Sequence, residues 1–593
     1  MFEIICILII LTLVIFVIII YRHYRIHFYS WYTDFLWPKN RVVIDKNVMI
    51  SMPDGTRLAT DIYRPKSLDK FPVIVIRTPY NKMGLLQPYK HLALLLASQG
   101  YVIVIQDVRG KYKSEGEFYP YAYEALDGHT TVMWAGKASW SNGKVALFGL
   151  SYSGSCAWLA TRYKSVYLRT IISMFTTQNT YSIWITKGIP FLKGPLLWLG
   201  KYCAKAENPK VTDRSLEPIL WQLPVNILDH YATNRKILFY KEYLAHIQPD
   251  PFWEEISAHQ GAGNLDIPAF IIGGWYDPFI NGTIDDYQRM KQAPDTSMNH
   301  HSHLLIGPWA HNPVQKFQGI EFGNNASFKS ILISTLEWCD IWLKDKKKAA
   351  SHLNKIRYFI MGRNEWKKTD HWPPSNTIEE KYFLSNQNNS LNPIEGRLTP
   401  IAPENTQKNN FIYNPRDPVL FRGSYILHGE GWIAPIEQNE IIARGDVLIY
   451  TTPSLQEELC VTGVAKLILY VSSQALDTDF YAKICDMHPN GKSFNLTSGF
   501  IRMRFRDSLE NPQLLVPGMV YCVEIPFRPV AHAFLKNHRI QLQITSSDFP
   551  VHNRNLNTGL SCENSIEIKE VEQTIYSGKP YESHLLLPIL NSS

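Results

Sequence analysis

Cysteine is scarce in this chain. Its 593 residues contain eight (Cys6, Cys156, Cys203, Cys339, Cys460, Cys485, Cys522 and Cys562), and no two of them form a C-x-x-C pair. That argues against a zinc site and against a dense disulfide framework; the even count permits disulfides, but nothing in the spacing asks for them. Excess charge is also missing. The formal net charge is +7, and no basic block interleaved with aromatics stands out, which argues against nucleic acid as a partner. Internal repeats and low-complexity tracts are absent. The apolar and charged fractions are those of a globular protein, and the length exceeds what one core serves, so two or three domains are expected.

One long apolar run is present. From Ile4 to Ile20 every residue is apolar except Thr12, near the lower limit of about 17–25 residues for a membrane-spanning helix. Glu3 rather than a positive charge precedes it, and no small-x-small cleavage site follows, so it reads as an anchor and not a secretory signal. The expectation is a single-pass transmembrane helix over residues 4–21. Arg22, Arg25, Lys39 and Arg41 lie on its far side, which by the positive-inside rule puts the amino terminus outside and the catalytic bulk in the cytoplasm.

The chain then alternates. Val42–Ile50 and Arg57–Arg64 flank Pro53-Asp54-Gly55, good hairpin chemistry. Phe71–Arg77, Tyr101–Asp107, Val145–Leu150 and Leu168–Met174 read as buried strands, with helices over Tyr89–Gln99 and Glu124–Ala135. Short apolar strands alternating with helices imply a parallel sheet covered on both faces. From Thr177 to about His259 the alternation stops, and the segment reads as a helical cap inserted over the sheet. It resumes with Ala269–Gly273, Ile280–Lys291, Leu304–Ile306 and Phe328–Leu343. Beyond about Lys355, short β-rich runs beginning with Ile356–Met361 are separated by Pro/Asn/Asp/Gly turns, the pattern of an all-β sandwich. The polar stretch Ser385–Asn410 reads as a long surface loop or a boundary. The fold class is therefore α/β: a hydrolase-type domain over 42–350 with a cap at 176–260, then a β-sandwich over 356–593.

The chemistry centres on Gly149-Leu150-Ser151-Tyr152-Ser153-Gly154. A strand, a sharp turn bearing serine and a helix of small residues make a nucleophile elbow, although Ser153 stands where a second glycine is usual. Later strands end in Gly274-Trp275-Tyr276-Asp277 and Gly307-Pro308-Trp309-Ala310-His311. Acid then histidine, each just after a strand, is the chain order of an α/β-hydrolase triad. A serine hydroxyl needs an imidazole to take its proton, and the imidazole needs a carboxylate to fix its tautomer. His300, His301 and His303 are rival bases, but they precede or enter the strand.

With those residues in view, the chain resembles the cocaine esterase/Xaa-Pro dipeptidyl-peptidase-like hydrolases. The matching stretches are Met52–Pro65, Arg77–Tyr80, Gln106–Gly110 with Ser114–Phe118, Gly149–Gly154, Gly274–Asp277 and Gly307–His311. They continue through Met361–Trp366, Asp446–Thr452, Val471–Phe480 and Ser546–Pro550. In that family G-x-S-Y-x-G is the elbow, so Ser153 is an ordinary variant. The resemblance implies a helical cap, a carboxy-terminal jelly roll, no metal or cofactor in the reaction, and an oxyanion hole. That hole is made by the backbone N–H of Tyr152 and a tyrosine hydroxyl matching Tyr80. Asp107, Arg109 and Glu117 also match the family; they read as a structural ion-pair network.

Relatives that cleave α-amino acyl groups hold an ammonium with carboxylates, some just after the catalytic aspartate. Here Pro278-Phe279 follows Asp277. By analogy with cocaine esterase-like members, Phe279 is expected to line an apolar acyl pocket; Trp184, Phe191 and Trp198 of the cap either complete it or serve as ordinary helix packing. The substrate is then a small ester with an uncharged acyl part; a short Xaa-Pro peptide is the second expectation. A binding protein that uses its β-sandwich while the hydrolase domain stays idle is the rival from outside enzymology.

Overall fold

The computed structural model describes residues 26, 27, 30, 36–83, 89–203, 211–258, 265–292, 298–311, 313, 316–317, 319–346, 355–386, 395–423 and 435–591. The apolar run at 4–21 lies outside them. Among the described residues, no helix is long and apolar enough to cross a membrane.

The first unit is a ten-stranded sheet. Its strands are β1 (Val42–Ser51), β2 (Arg57–Pro65), β3 (Phe71–Thr78), β4 (Val102–Asp107), β5 (Ser141–Leu150), β6 (Leu168–Met174), β7 (Ala269–Tyr276), β8 (His303–Ala310), β9 (Ile356–Ile360) and β10 (Glu365–Thr369). They lie in the order β1-β2-β4-β3-β5-β6-β7-β8-β9-β10. β1 and β2 run antiparallel to their neighbours, β3 to β9 are mutually parallel, and β10 folds back on β9. This is the α/β-hydrolase arrangement.

The period-2 alternation of the inner strands explains why both faces must be covered. Val73, Val75, Val102 and Val104 enter one core with Val132 and Ala135 of α2 (Glu124–Lys137) and Cys156 and Ala157 of α3 (Tyr152–Leu159). Ile74, Ile76, Ile103 and Ile105 point the other way. They meet Leu92 and Leu96 of α1 (Tyr89–Ser98) and Leu336 and Trp338 of the long helix Phe328–Leu343.

Between β6 and β7 the chain makes a cap of short helices: Tyr181–Trp184, Lys193–Tyr202, Asp213–Leu220, Leu228–Thr233, Leu238–Ala245 and Pro251–Glu255. Local chemistry sets several of their starts. Thr212 and Ser215 form a reciprocal capping box, and Asp250 caps a helix that begins with Pro251. Aromatic edges hold the helices together, with the Trp184 and Tyr243 rings 4.9 Å apart and Tyr243 5.0 Å from Trp253.

The second unit is a β domain built on a thirteen-stranded, mainly antiparallel sheet from Thr377–Asn386 to His584–Leu590. Along Lys466–Ser473, Leu467, Leu469 and Val471 are buried while the residues between them are half-buried, the alternation of a strand with one face on the core. Two details differ from the sequence reading. β9 and β10, expected to open the sandwich at 356, instead extend the first sheet, with Ile356 opposite Leu304 of β8. A short apolar run after a helix looks the same whichever sheet it joins. Met361, directly after β9, exchanges hydrogen bonds with Ala531 and Ala533 of the β domain at 3.0 and 2.8 Å, so the two sheets meet there. The polar stretch Ser385–Asn410 also contains strand Glu395–Thr399, paired with Thr377–Asn386. Its buried Leu398 is too isolated to register as an apolar pattern.

Candidate active site

Ser151 sits at the break between β5 and α3 with φ 59° and ψ −130°, a backbone region that costs a non-glycine residue energy and collects at functional turns. The surroundings hold it there. Its N–H donates to the Met174 carbonyl at 2.9 Å, and its own carbonyl accepts from Gly154 and Ser155 at 2.8 and 3.1 Å. The Tyr89 hydroxyl braces the preceding residue, accepting from the Leu150 N–H at 3.1 Å. Close approach explains both glycines of the motif. A Cβ on Gly149 would lie 2.1 Å from the Ser153 backbone, and one on Gly154 would lie 2.6 Å from Thr176 Cγ2.

Asp277 follows β7 and His311 follows β8, at the same carboxyl edge of the sheet as Ser151. His311 Nδ1 lies 2.8 Å from Asp277 Oδ1, with both side chains buried. With the carboxylate ionised, Nδ1–H donates and Nε2 keeps its lone pair, the tautomer a general base requires. A register irregularity between Gly307 and Ala310 precedes the histidine. Gly274 makes room for it, since a Cβ there would lie 2.1 Å from the Trp309 carbonyl oxygen. The other Asp277 oxygen, Oδ2, is buried with no hydrogen-bond partner among the described residues, so the carboxylate depends heavily on the imidazole. The Asp277 backbone carbonyl accepts from Arg528 Nη1 of the β domain at 3.2 Å. His303 opens β8 at its opposite end, with His300 and His301 in the turn before it; none of the three reaches the serine's edge of the sheet.

Tyr80 and Tyr152 flank the serine. The Tyr80 hydroxyl accepts from Trp198 Nε1 of the cap at 3.3 Å, which leaves its own proton to donate elsewhere. Burial raises its pKa far above the usual phenol value, against the lowering effect of its hydrogen bond with the Ser151 side chain. The group therefore stays a neutral donor. Lys82 anchors this loop: its N–H donates to Asp107 Oδ1 at 2.8 Å and its ammonium lies 3.3 Å from Oδ2. Tyr152 opens α3, so its amide has no intrahelical acceptor. Its side chain is pinned, donating to Glu124 Oε1 at 3.0 Å and accepting from the Tyr121 N–H at 3.0 Å. Glu124 in turn pairs with buried Arg77 at 2.5 Å.

The expected Asp107–Arg109–Glu117 network is not one network. Asp107 pairs with Lys82, Arg109 pairs with Asp127 and Asp54, and Glu117 is exposed outside both sets. Sequence proximity suggested partners that the strand end turns in different directions.

A pocket of about 740 Å³, including its open mouth, lies over Ser151. Tyr80, Tyr152, Pro278 and Phe279 line it from the hydrolase domain, and Ile183, Trp184, Phe191 and Trp198 from the cap. All four aromatics expected at the pocket are therefore there. The β domain adds Val551, which sequence reasoning missed; Leu192 N–H donates to its carbonyl at 2.8 Å and so ties it to the cap. Phe279 also meets the His311 ring edge to face at 5.4 Å. Among the described residues, no Asp, Glu, Lys or Arg lines it. The arrangement puts together a strained serine, an imidazole bonded to a buried carboxylate, a tyrosine hydroxyl and a helix-start amide, in a mostly apolar surround.

Comparison with known proteins fits this geometry. Residues 54–313 match the family model described as X-Pro dipeptidyl-peptidase (S15 family), and residues 348–586 match the X-Pro dipeptidyl-peptidase C-terminal non-catalytic domain. A cocaine esterase from Rhodococcus sp. (strain MB1 Bresler) is 31% identical over 583 residues, 92% of this chain and 98% of that one. Two solved structures share the fold. An aminopeptidase from a marine sediment Thaumarchaeota archaeon superposes with TM-score 0.82 at 23% identity, covering 93% of this chain and 97% of its own. An α-amino acid ester hydrolase superposes with TM-score 0.81 at 23% identity and the same coverage.

Proposed function

Because this chain belongs to the cocaine esterase/X-Pro dipeptidyl-peptidase-like family of serine hydrolases, we propose that Ser151, His311 and Asp277 are its catalytic triad and that its substrate is a small ester with an uncharged acyl group. In this reading Ser151 Oγ attacks the ester carbonyl while His311 Nε2 takes its proton, and Asp277 holds the imidazole and stabilises its charged form. The carbonyl oxygen, now an anion, receives hydrogen bonds from the Tyr80 hydroxyl and the Tyr152 N–H. His311 returns the proton to the departing alcohol. Water then attacks the acyl-enzyme by the same route in reverse, releasing the acid.

The observation that carries the choice of ester is the uncharged lining that the described residues give the pocket over Ser151. An amino-terminal dipeptide brings an ammonium group, and burying that cation without a carboxylate costs several kcal/mol. The family model names favour the second reading, Xaa-Pro dipeptidyl-peptidase activity. Assaying purified protein on a simple aryl benzoate and on Ala-Pro-anilide separates the two. The proposal expects turnover of the ester and little of the anilide; preference for the anilide would replace it. A protein that hydrolyses neither would favour the idle-hydrolase binding role.

Residues 4–21 belong to the proposal as a single-pass membrane anchor with the catalytic domain on the cytoplasmic side, supported by their composition alone. The full-length chain should then fractionate with membranes and lose that on deletion of the residues before Trp31. A soluble full-length chain would remove the anchor from the account.

A further inference from the structure

The β domain carries a convergence of metal-ligating side chains that ester hydrolysis leaves unused. Asp486 sits near the end of strand Asp479–Met487, and His488 follows two residues later, so both project to the same side. Met487 pairs with Arg539 across the ladder, and continuing that register sets His488 opposite His538. The ring nitrogens converge on one carboxylate: His538 Nδ1 lies 2.8 Å from Asp486 Oδ1, and His488 Nε2 lies 3.7 Å from Oδ2. One ligand atom from each of the three residues lies within 4.8 Å of the others.

A plain hydrogen-bond network accounts for His538 and for His532, whose Nε2 lies 3.0 Å from Asp486 Oδ2. It does not account for His488. At 3.7 Å its nitrogen is too far for a hydrogen bond, yet the ring packs on His538 with centroids 4.5 Å apart and turns that nitrogen to the same carboxylate. Two imidazoles and a carboxylate aimed at one point are the donor set of a zinc-type ion. With bonds of about 2.0–2.2 Å in a tetrahedron, donors stand roughly 3.4 Å apart, and one ligand atom from each of the three residues falls within 4.8 Å of the others. Calcium or magnesium would call for an oxygen set instead.

We propose that Asp486, His488 and His538 form a binding site for a divalent transition-metal ion of the zinc class. His538 ligates through Nδ1 as the neutral Nε2–H tautomer, so the proton facing Asp486 moves by solvent exchange from Nδ1 to Nε2 and the ring stays neutral. His532 donates to Asp486 from strand Val530–Phe534 and fixes the carboxylate's orientation, as partners of metal-ligating carboxylates do. His488 keeps 30% of its side chain exposed, which gives the ion an entry path and water a fourth position. The cysteine spacing argues against a zinc site, but this set uses no cysteine and its members meet only through strand pairing. None of these residues lines the pocket over Ser151, so the ion is assigned to ligand binding in the β domain and not to ester cleavage.

The test uses untagged full-length protein, stripped with chelator and dialysed, then titrated with zinc chloride and separately with cobalt chloride. Expected results are about one zinc per chain, a higher melting temperature with zinc, and the visible absorption of tetrahedral cobalt. His488→Ala is the decisive variant, because this histidine makes no hydrogen bond to Asp486 and its loss should leave the metal-free melting temperature near wild type. It should weaken zinc binding at least ~10-fold, the low end of what even a supporting partner's loss costs, and abolish the cobalt spectrum. His538→Ala should do the same where it folds. Wild-type protein that binds neither metal, or His488→Ala that binds zinc as wild type does, overturns the proposal.

Discussion

Trp198 Nε1, on the cap, donates to the Tyr80 hydroxyl, on the loop after β3, at 3.3 Å. The cap therefore does more than roof the pocket. By occupying a lone pair of Tyr80 it holds the hydroxyl in place and leaves the phenol proton for another acceptor in the pocket that Tyr80 shares with Ser151.

Two substitutions read that relationship. Trp198→Phe keeps an aromatic ring but removes the N–H, and it should lower kcat by about 2–10-fold, the worth of one neutral hydrogen bond. Tyr80→Phe removes the donor itself and should cost ~10²–10³ in kcat with KM little changed, as loss of an oxyanion donor does. Steady-state kinetics on an aryl ester decide both.

The elbow glycines should differ in severity. A Cβ on Gly149 meets Ser153 backbone, which cannot give, whereas one on Gly154 meets the Thr176 methyl. Gly149→Ala should yield no folded, active protein. Gly154→Ala should fold with a loss of about 1–3 kcal/mol, the usual cost of overpacking. Adding Thr176→Ser removes that methyl, keeps the hydroxyl bonded to Ser155 Oγ at 2.7 Å, and should recover part of the loss in chemical denaturation.

Arg528 reaches from the β domain to the Asp277 carbonyl at 3.2 Å. Arg528→Met leaves the Asp277 carbonyl with the Ile280 N–H at 3.3 Å as its donor, and should lower kcat about 2–10-fold, the worth of one hydrogen bond. Substrate binding should change little, since Arg528 does not line the pocket.

Phe279 packs between the pocket and His311. Phe279→Ala should reduce kcat/KM for benzoyl esters by ~10–100-fold, the range given by burying about 1.5–3 kcal/mol of apolar surface. Acetyl esters, which leave that surface unfilled, should lose far less. Equal losses on both would move the acyl group elsewhere.

The strands and the order of the triad candidates were legible because buried parallel strands are short and apolar and because Ser151, Asp277 and His311 each stand just beyond one. Tyr80 was visible only through family resemblance; Thr78-Pro79-Tyr80-Asn81 has no periodic pattern of its own. What was hidden depended on long-range pairing. Sheet membership of Ile356–Ile360, the contact of Arg528 with Asp277 and the place of Val551 in the pocket wall join residues up to hundreds of positions apart. No local spacing encodes those contacts. Arg109 and Asp127 show the same limit: both lie in readable stretches, but the helix that brings them within 2.8 Å had to be seen.

The central claim is that Ser151 is the nucleophile. Purified protein treated with a fluorophosphonate probe should gain one adduct per chain, mapped to the peptide that carries Ser151, and Ser151→Ala should gain none. Wild-type protein that stays unlabelled, or Ser151→Ala that labels as readily as wild type, would contradict it.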